Sequence, residues 1–299
     1  MTPKIPIILD TDIGGDIDDT WALAMLLRSP ELDVKLIATG TGNTTYRAML
    51  VAKLLQVAGR TDIPIGIGLH QSDERGPQAA WLDGFKLADY PGQVYNDGVG
   101  ALIETVMSSP EPLTLLCIGP APNIAAALER EPRLAERTKI VGMFGSVRVG
   151  YDGSAQISDE YNVRLDVAAC RKMFEVFPEV TITPLDTCGL VRLKGEKYRR
   201  VRDSADPLIQ AVIENYRVWA KHYTWETLNA EEASSTLFDT VAVYLAFAED
   251  LLEIEELGLR VTDDGYTVMD EDAKPIRCAM RWKDLGAFED FLVERLLSG

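Results

Sequence analysis

Five carboxylates fall within ten residues in the segment Asp10-Thr11-Asp12-Ile13-Gly14-Gly15-Asp16-Ile17-Asp18-Asp19. Like charges this close repel, and the repulsion grows where water is excluded. Such a cluster persists if it is fully solvated or if a cation neutralises it. The flanking residues argue against full solvation. The apolar run Ile5-Pro6-Ile7-Ile8-Leu9 leads in, and Trp21, Leu23, Ala24 and Leu27 lead out, so the loop is tethered to a core at both ends. Gly14 and Gly15 let the chain turn sharply enough for the side chains to converge. A tethered cluster of this kind points to a function, with a neutralising cation as one way to hold it.

The elements that must position this loop follow from the apolar pattern. Runs rich in Ile, Val and Leu recur at 5–9, 34–38, 63–67, 113–118, 140–144 and 180–185, and segments of helical period follow most of them, at 19–28, 44–58, 97–108, 122–130 and 166–176. Continuous rather than alternating apolar runs suit strands buried on both faces. The alternation predicts an α/β fold with a doubly wound, mostly parallel sheet and a Rossmann-like core. The pattern changes near residue 190. A basic cluster (Lys194, Lys197, Arg199, Arg200, Arg202), expected to be a solvated face, precedes a helix through Ile213, Tyr216 and Trp219, then His222-Tyr223-Thr224-Trp225. A helix over 237–248, a C-terminal hairpin of Thr267–Met269 and Ile276–Trp282, and an amphipathic helix over 284–297 complete the chain. No linker rich in Pro, Gly or Ser interrupts it, which predicts a single domain over 1–299 with a helical insertion at about 190–235.

Open α/β sheets bind ligands at the carboxyl ends of their strands, and the unusual residues collect there. Besides the acidic loop these are Gly40-Thr41-Gly42-Asn43, Ile118-Gly119-Pro120-Ala121-Pro122-Asn123, Glu160-Tyr161-Asn162 and Asp186. Composition narrows the partners. The 299 residues hold 47 acids against 30 Lys and Arg, a net charge of −17, which disfavours nucleic acid and anionic membrane as partners. Hydrophobic residues at 46% exclude a disordered chain, and no apolar run is long enough to span a bilayer. The short first apolar run is unlike a signal peptide, and Cys117, Cys170, Cys188 and Cys278 are scattered as buried small hydrophobes would be. Both features predict a reduced, cytoplasmic location.

Three precedents compete for the loop. An EF-hand needs Gly at its sixth position and a carboxylate at its twelfth; Gly15 fits, but Trp21 does not, and the loop follows a strand. Phosphotransferases of the haloacid-dehalogenase type open with D-x-D, but Gly14 departs from their pattern, and Asp18 and Asp19 stay unexplained. The third match is better. The loop resembles D-x-D-x-G-x-D-D, the signature of the nucleoside hydrolases (inosine-uridine-preferring nucleoside N-ribohydrolases), in a form two residues longer that is associated with one branch of the superfamily. Gly42-Asn43, Ile118-Gly119-Pro120 through Asn123-Ile124-Ala125, Glu160-Tyr161-Asn162 with Asp166, and Phe238-Asp239-Thr240-Val241-Ala242 resemble the later family motifs in the same order. Each is weak alone; five collinear matches are strong.

The resemblance implies hydrolysis of the N-glycosidic bond of ribonucleosides through an oxocarbenium-like ribosyl centre, with a tightly held Ca²⁺. Its ligands would be Asp12, Asp19, Asp239 and the Ile118 carbonyl, with Asp10 orienting them from behind. Asp12 would remove the proton of the attacking water. Asp18, Asn43, Asn162 and Asp239 would grip the 2′- and 3′-hydroxyls, and Glu160 the 5′-hydroxyl. A homodimer or homotetramer is also implied.

The departures lie on the leaving-group side. Phe238 stands where relatives commonly carry a His, Val94-Tyr95-Asn96 lacks a second family His, and Ser154 stands where many relatives have Asn. The chain's two histidines are His70, expected to be a loop residue without a role, and His222 in the insertion. Tyr95, Trp219, His222, Tyr223, Trp225 and Phe238 are the candidate contacts to the departing base, either stacking on it or flanking a base that leaves unaided. Phe238 and Ser154 also motivate a rival reading: a non-catalytic ribose or nucleoside binder on the same scaffold.

Overall fold

The apolar runs become strands in the computed structural model, which describes residues 3–223 and 229–299. Trp225, one of the aromatic candidates, lies outside the described residues. The strands are β1 (Ile5–Thr11), β2 (Leu32–Thr39), β3 (Ile65–Ile67), β4 (Val94–Tyr95), β5 (Leu113–Cys117), β6 (Thr138–Met143), β7 (Val180–Thr183), β8 (Leu252–Val261), β9 (Thr267–Met269) and β10 (Pro275–Trp282). They form one ten-stranded sheet in the order β4-β3-β2-β1-β5-β6-β7-β10-β8-β9. Pairing is parallel from β4 through β7 to β10 and antiparallel on both sides of β8.

Helices cover both faces: α1 (Asp18–Leu27), α2 (Thr44–Val57), α3 (Gly98–Ser108), α4 (Pro122–Arg130), α5 (Tyr161–Leu165), α6 (Val167–Val176), α7 (Leu185–Cys188), α8 (Gly195–Arg202), α9 (Pro207–Ala220), α10 (Phe238–Leu245) and α11 (Leu285–Leu297). One apolar cluster gathers Trp21, Leu50, Tyr216, Val241 and Phe288 from α1, α2, α9, α10 and α11. A second gathers Leu102, Ile124, Met173 and Phe174 from α3, α4 and α6. Several helices begin where a short acceptor satisfies their free N–H groups: Asn43 caps α2, Asp97 α3, Asp166 α6, and Asp206 α9 ahead of Pro207.

β1 pairs with β2 on one side and with β5 on the other. The chain therefore runs outward from β1 to β4, then returns to β5 and runs the other way. Ligand sites open at such a reversal, and the acidic loop leaves β1 there.

Two features differ from the sequence-based expectation. Thr267–Met269 and Ile276–Trp282 do not pair with each other; both pair with β8, which lies between them, and the hairpin is β8–β9. β8 reads Leu-Glu-Ile-Glu-Glu-Leu-Gly-Leu-Arg-Val, too charged to show as an apolar run. The basic cluster is not merely solvated: Lys197 pairs with Asp290 at 2.8 Å and Arg200 with Glu294 at 2.8 Å, joining α8 to α11. All four cysteines are buried. Among the described residues no helix is long and apolar enough to cross a membrane.

Candidate active site

The floor of the crevice is built by the end of β1 and the first turns of α1 and α10. Carboxylate oxygens of Asp18, Asp19 and Asp239 lie within 4.8 Å of one another, and all three residues are buried. Asp18 and Asp19 open α1, and Asp239 is the second residue of α10. The exposed N–H groups of a helix start favour acids there. Thr11 Oγ1 donates to Asp19 Oδ1 at 2.5 Å, and the Ile13 N–H donates to the same hydroxyl. Burial raises the Asp18, Asp19 and Asp239 carboxyls well above the ordinary range, and mutual repulsion raises them further.

Asp12 stands beside this triad, against the loop after β5. A Cβ at Gly119 would lie 2.6 Å from Asp12 Oδ1, so only glycine fits after Ile118. Burial raises the Asp12 carboxyl, and the Arg47 guanidinium, whose Nη2 is 3.6 Å from Asp12 Oδ2, opposes that rise. Beneath lies Asp10, 1% exposed. Its Oδ2 accepts from Asn123 Nδ2 at 2.8 Å, and its Oδ1 is buried with no protein partner. Burial pushes Asp10 up to about 7 against that hydrogen bond.

Buried carboxylates clustered this closely, with an orphaned carboxylate oxygen behind them, fit a hard divalent cation. The donor set is all oxygen, and the acids need a positive partner to ionise together. Asp19 and Asp239 of the expected ligand set lie in this triad, and Asp18 joins them. The Ile118 carbonyl accepts from Asn162 Nδ2 at 3.2 Å.

The opposite wall follows β6. Glu160 caps α5: its Oε1 accepts from Asn162 N at 2.8 Å, and its Oε2 from Gly145 N at 2.9 Å and Val163 N at 3.2 Å. Burial pushes Glu160 up to about 7, the three N–H donors opposing. Asn162 Nδ2 also donates to the Met143 carbonyl at 3.0 Å, tying the ends of β5 and β6 together. Asp186 holds the neighbouring loop by accepting from Val147 N at 2.9 Å and Arg148 N at 2.8 Å.

The remaining predicted residues are dispersed. Asn43 is half-buried; its Oδ1 accepts from Tyr46 N and its Nδ2 donates to the Asp73 carbonyl. Ser154 is exposed in a turn, its hydroxyl accepting from Gln156 N. Phe238, half-buried, opens α10 beside Asp239 and packs edge-on to Tyr151 with ring centroids 6.1 Å apart. Trp219 is buried, and its indole N–H donates to the Gly15 carbonyl at 3.1 Å. Tyr223 packs on Trp219 at 4.5 Å between centroids. His222 is exposed at the end of α9, and Tyr95 is exposed on β4 at the sheet edge. His70 pairs with Asp73 on the surface at 3.1 Å.

Sequence reasoning missed Arg47 and Tyr151. Arg47 is a lone charge in the apolar stretch Tyr46-Arg47-Ala48-Met49-Leu50 of α2, a signal of a buried, partnered guanidinium. Tyr151, in an irregular loop, gave no periodic signal; its hydroxyl accepts from Tyr161 N at 3.0 Å, and its ring packs edge-on against Phe238, the neighbour of Asp239.

With this geometry in hand, comparison with known proteins is decisive for the class. The family model described as inosine-uridine preferring nucleoside hydrolase matches residues 7–289. Similar proteins include pyrimidine-specific ribonucleoside hydrolase RihA of Shigella boydii, 28% identical, and that of Citrobacter koseri, 29% identical, each match covering 98% of both chains. Among solved structures, a plant nucleoside hydrolase superposes with a TM-score of 0.84 at 22% identity, covering 99% of this chain and 100% of the other. The purine-preferring ribonucleoside hydrolase from Gardnerella vaginalis superposes with a TM-score of 0.76 at 24% identity, covering 98% of each chain. The chain belongs to the inosine-uridine preferring nucleoside hydrolase family. It is a hydrolase that acts on nucleosides.

Proposed function

We propose that this enzyme hydrolyses the N-glycosidic bond of ribonucleosides to free base and ribose, with Ca²⁺ as its resident cation. The observation that carries the reading is the buried carboxylate triad Asp18, Asp19 and Asp239 in the first turns of α1 and α10, with Asp12 beside it. Asp18, Asp19 and Asp239 would hold the ion, together with Asp12. When bound, Ca²⁺ supplies a fixed positive charge that favours ionisation of a water and grips a vicinal diol.

The chain's own groups do the rest. Asp12 takes the proton of the attacking water, and its packing against Gly119 fixes the direction in which it does so. Asp18 and Asp239 accept from the ribose 2′- and 3′-hydroxyls, and Glu160 orients the 5′ end. The same carboxylates stabilise the positive charge that develops on the sugar, an interaction stronger in the transition state than in the ground state. The departing base leaves against Phe238 and Tyr151 rather than beside a histidine.

A reducing-sugar assay on inosine, uridine, nicotinamide riboside and a nitrophenyl riboside, with Ca²⁺ and after chelation, tests this. The expected result is Ca²⁺-dependent ribose release that is faster on the nitrophenyl riboside than on inosine. Ribose or nucleoside binding by calorimetry without turnover of any riboside would overturn it in favour of a non-catalytic binder, the reading that Phe238 in place of histidine supports.

A further inference from the structure

The loop between the floor carboxylates is held from outside by a set of donors that the catalytic reading does not use. Four successive carbonyls, those of Ile13, Gly14, Gly15 and Asp16, each accept from a side chain of another element. Arg47 Nη1 donates to Ile13 O at 2.9 Å, Tyr46 Oη to Gly14 O at 3.2 Å, Trp219 Nε1 to Gly15 O at 3.1 Å and Gln78 Nε2 to Asp16 O at 2.7 Å. Asp12 immediately precedes these residues, and Asp18 and Asp19 follow one residue later. A loop pinned at every carbonyl cannot pivot, so the carboxylates at its two ends keep a fixed separation.

Arg47 does more than the other three. From the first turn of α2 its Nε donates to the Thr41 carbonyl at 2.9 Å, and its Nη2 approaches both Thr41 Oγ1 at 3.4 Å and Asp12 Oδ2 at 3.6 Å. One guanidinium thus joins the loop after β1, the loop after β2 and the carboxylate proposed to accept the water's proton. Thr41 sits at φ +56°, a left-handed conformation costly for a branched residue, and both its carbonyl and its hydroxyl face Arg47. Arg47 is 8% exposed, and the carboxylate it approaches belongs to an acidic loop. Only a planar fork with five donors serves acceptors in these separate directions; an ammonium on a flexible stem does not.

We propose that Arg47, supported by Tyr46, is a positioning residue that sets the Asp12–Asp19 loop in its ligand-ready form before cation or substrate arrives. The proposal rests on the hydrolase reading above for its consequence but not for its geometry. Arg47→Lys keeps the charge and loses the fork. Its expected signature is a Ca²⁺ dissociation constant weakened about tenfold by calorimetry and a kcat lowered about 10- to 100-fold, the range typical when the supports of metal ligands are removed. KM should change less than threefold. In the metal-free protein, hydrogen exchange should quicken in the peptide covering residues 10–19 and stay unchanged in the β5 and β6 peptides, a local effect that general destabilisation would not produce. Tyr46→Phe removes one hydroxyl and should weaken Ca²⁺ binding two- to fivefold.

Wild-type dissociation constant, kcat and exchange in Arg47→Lys overturn the proposal. So does an Arg47→Met variant that binds Ca²⁺ more tightly than wild type with full kcat, since the guanidinium would then act only as a competing charge. If Arg47→Lys fails to fold, Tyr46→Phe decides: unchanged Ca²⁺ binding and unchanged exchange over 10–19 sink the idea. If the wild-type chain takes up no Ca²⁺, the function reading fails, and the exchange data still judge Arg47.

Discussion

The floor of the pocket and its rim are built by opposite means. Floor residues sit on strand ends and first helical turns: Asp10 lies one residue from the end of β1, Asp18 and Asp19 open α1, Asp239 lies in the first turn of α10, and all are buried. Rim residues sit on loops and helix ends: Tyr151 and Ser154 in an irregular turn and His222 at the end of α9, and all are exposed. Chemistry on a sugar common to every ribonucleoside needs groups held to fractions of an ångström, which regular elements supply. Recognition of a variable base tolerates looser groups, and loops are where such groups vary. The contrast implies that floor substitutions abolish turnover, whereas rim substitutions redistribute it among substrates.

The largest expected effect lies in the floor. Asp19→Asn or Asp239→Asn should lower ribose release on the order of a thousandfold or more on every riboside, the scale of a lost cation contribution. The metal-free variants should melt no lower than metal-free wild type, because each removes one carboxylate from a mutually repelling buried set. Full activity in either variant, measured by the reducing-sugar assay, would end the assignment of the floor.

Next comes the response to pH. Asp10 and Glu160 are raised to about 7 in the folded, metal-free chain, above their values of 3.8 and 4.5 when unfolded. Between those limits the folded state binds more protons than the unfolded state. Stability conferred by the protonated groups is therefore present below about pH 4 and lost as pH rises through about 7. Calorimetric melting of chelated protein should show Tm falling from pH 5 to pH 8, and Ca²⁺ should raise Tm more at pH 8 than at pH 5 because it needs the ionised carboxylates. A flat profile would mean that the floor is ionised without a cation.

Rim substitution should act on selectivity. Phe238→His places a titratable donor beside Asp239 and should change the inosine-to-nitrophenyl rate ratio by about tenfold, toward the poorer leaving group, a modest share of what a positioned acid supplies. Ca²⁺ affinity should stay within twofold. An equal change on both substrates would show that Phe238 serves the sugar and belongs with the floor.

The division between floor and rim also marks what the sequence made legible. Ile5–Leu9, Val34–Ala38 and Ile140–Phe144 read as buried strands because parallel strands covered on both faces carry uninterrupted apolar residues. Clustered acids at the end of the first of those strands stand out because burial makes such a cluster costly unless it has a function. β8 was hidden by Glu253, Glu255 and Glu256, which an antiparallel strand near the sheet edge can turn to solvent. Arg47 was hidden for a different reason. Its two shortest contacts, to Ile13 O and Thr41 O, are with backbone atoms, and a side chain held mainly by backbone leaves little complementary residue type to find. Trp219 shows the same effect: its aromatic character suggested stacking on a base, while its indole N–H is given to Gly15 O.

The smallest expected effect concerns Tyr95, and it tests where the rim ends. β4 is the outermost strand on its side, three places from β1 in the sheet. At the usual spacing of paired strands that puts Tyr95 about 14 Å from the floor carboxylates along the sheet. A ribose held on Asp18 and Asp239 carries its base only a few ångströms away, well short of that span. Tyr95→Ala should accordingly leave kcat and KM within twofold on purine and pyrimidine ribosides alike. A tenfold rise in KM confined to purine ribosides would show instead that the larger base lies across the ends of β2 and β3, extending the rim from the α10 side of the pocket to the far edge of the sheet.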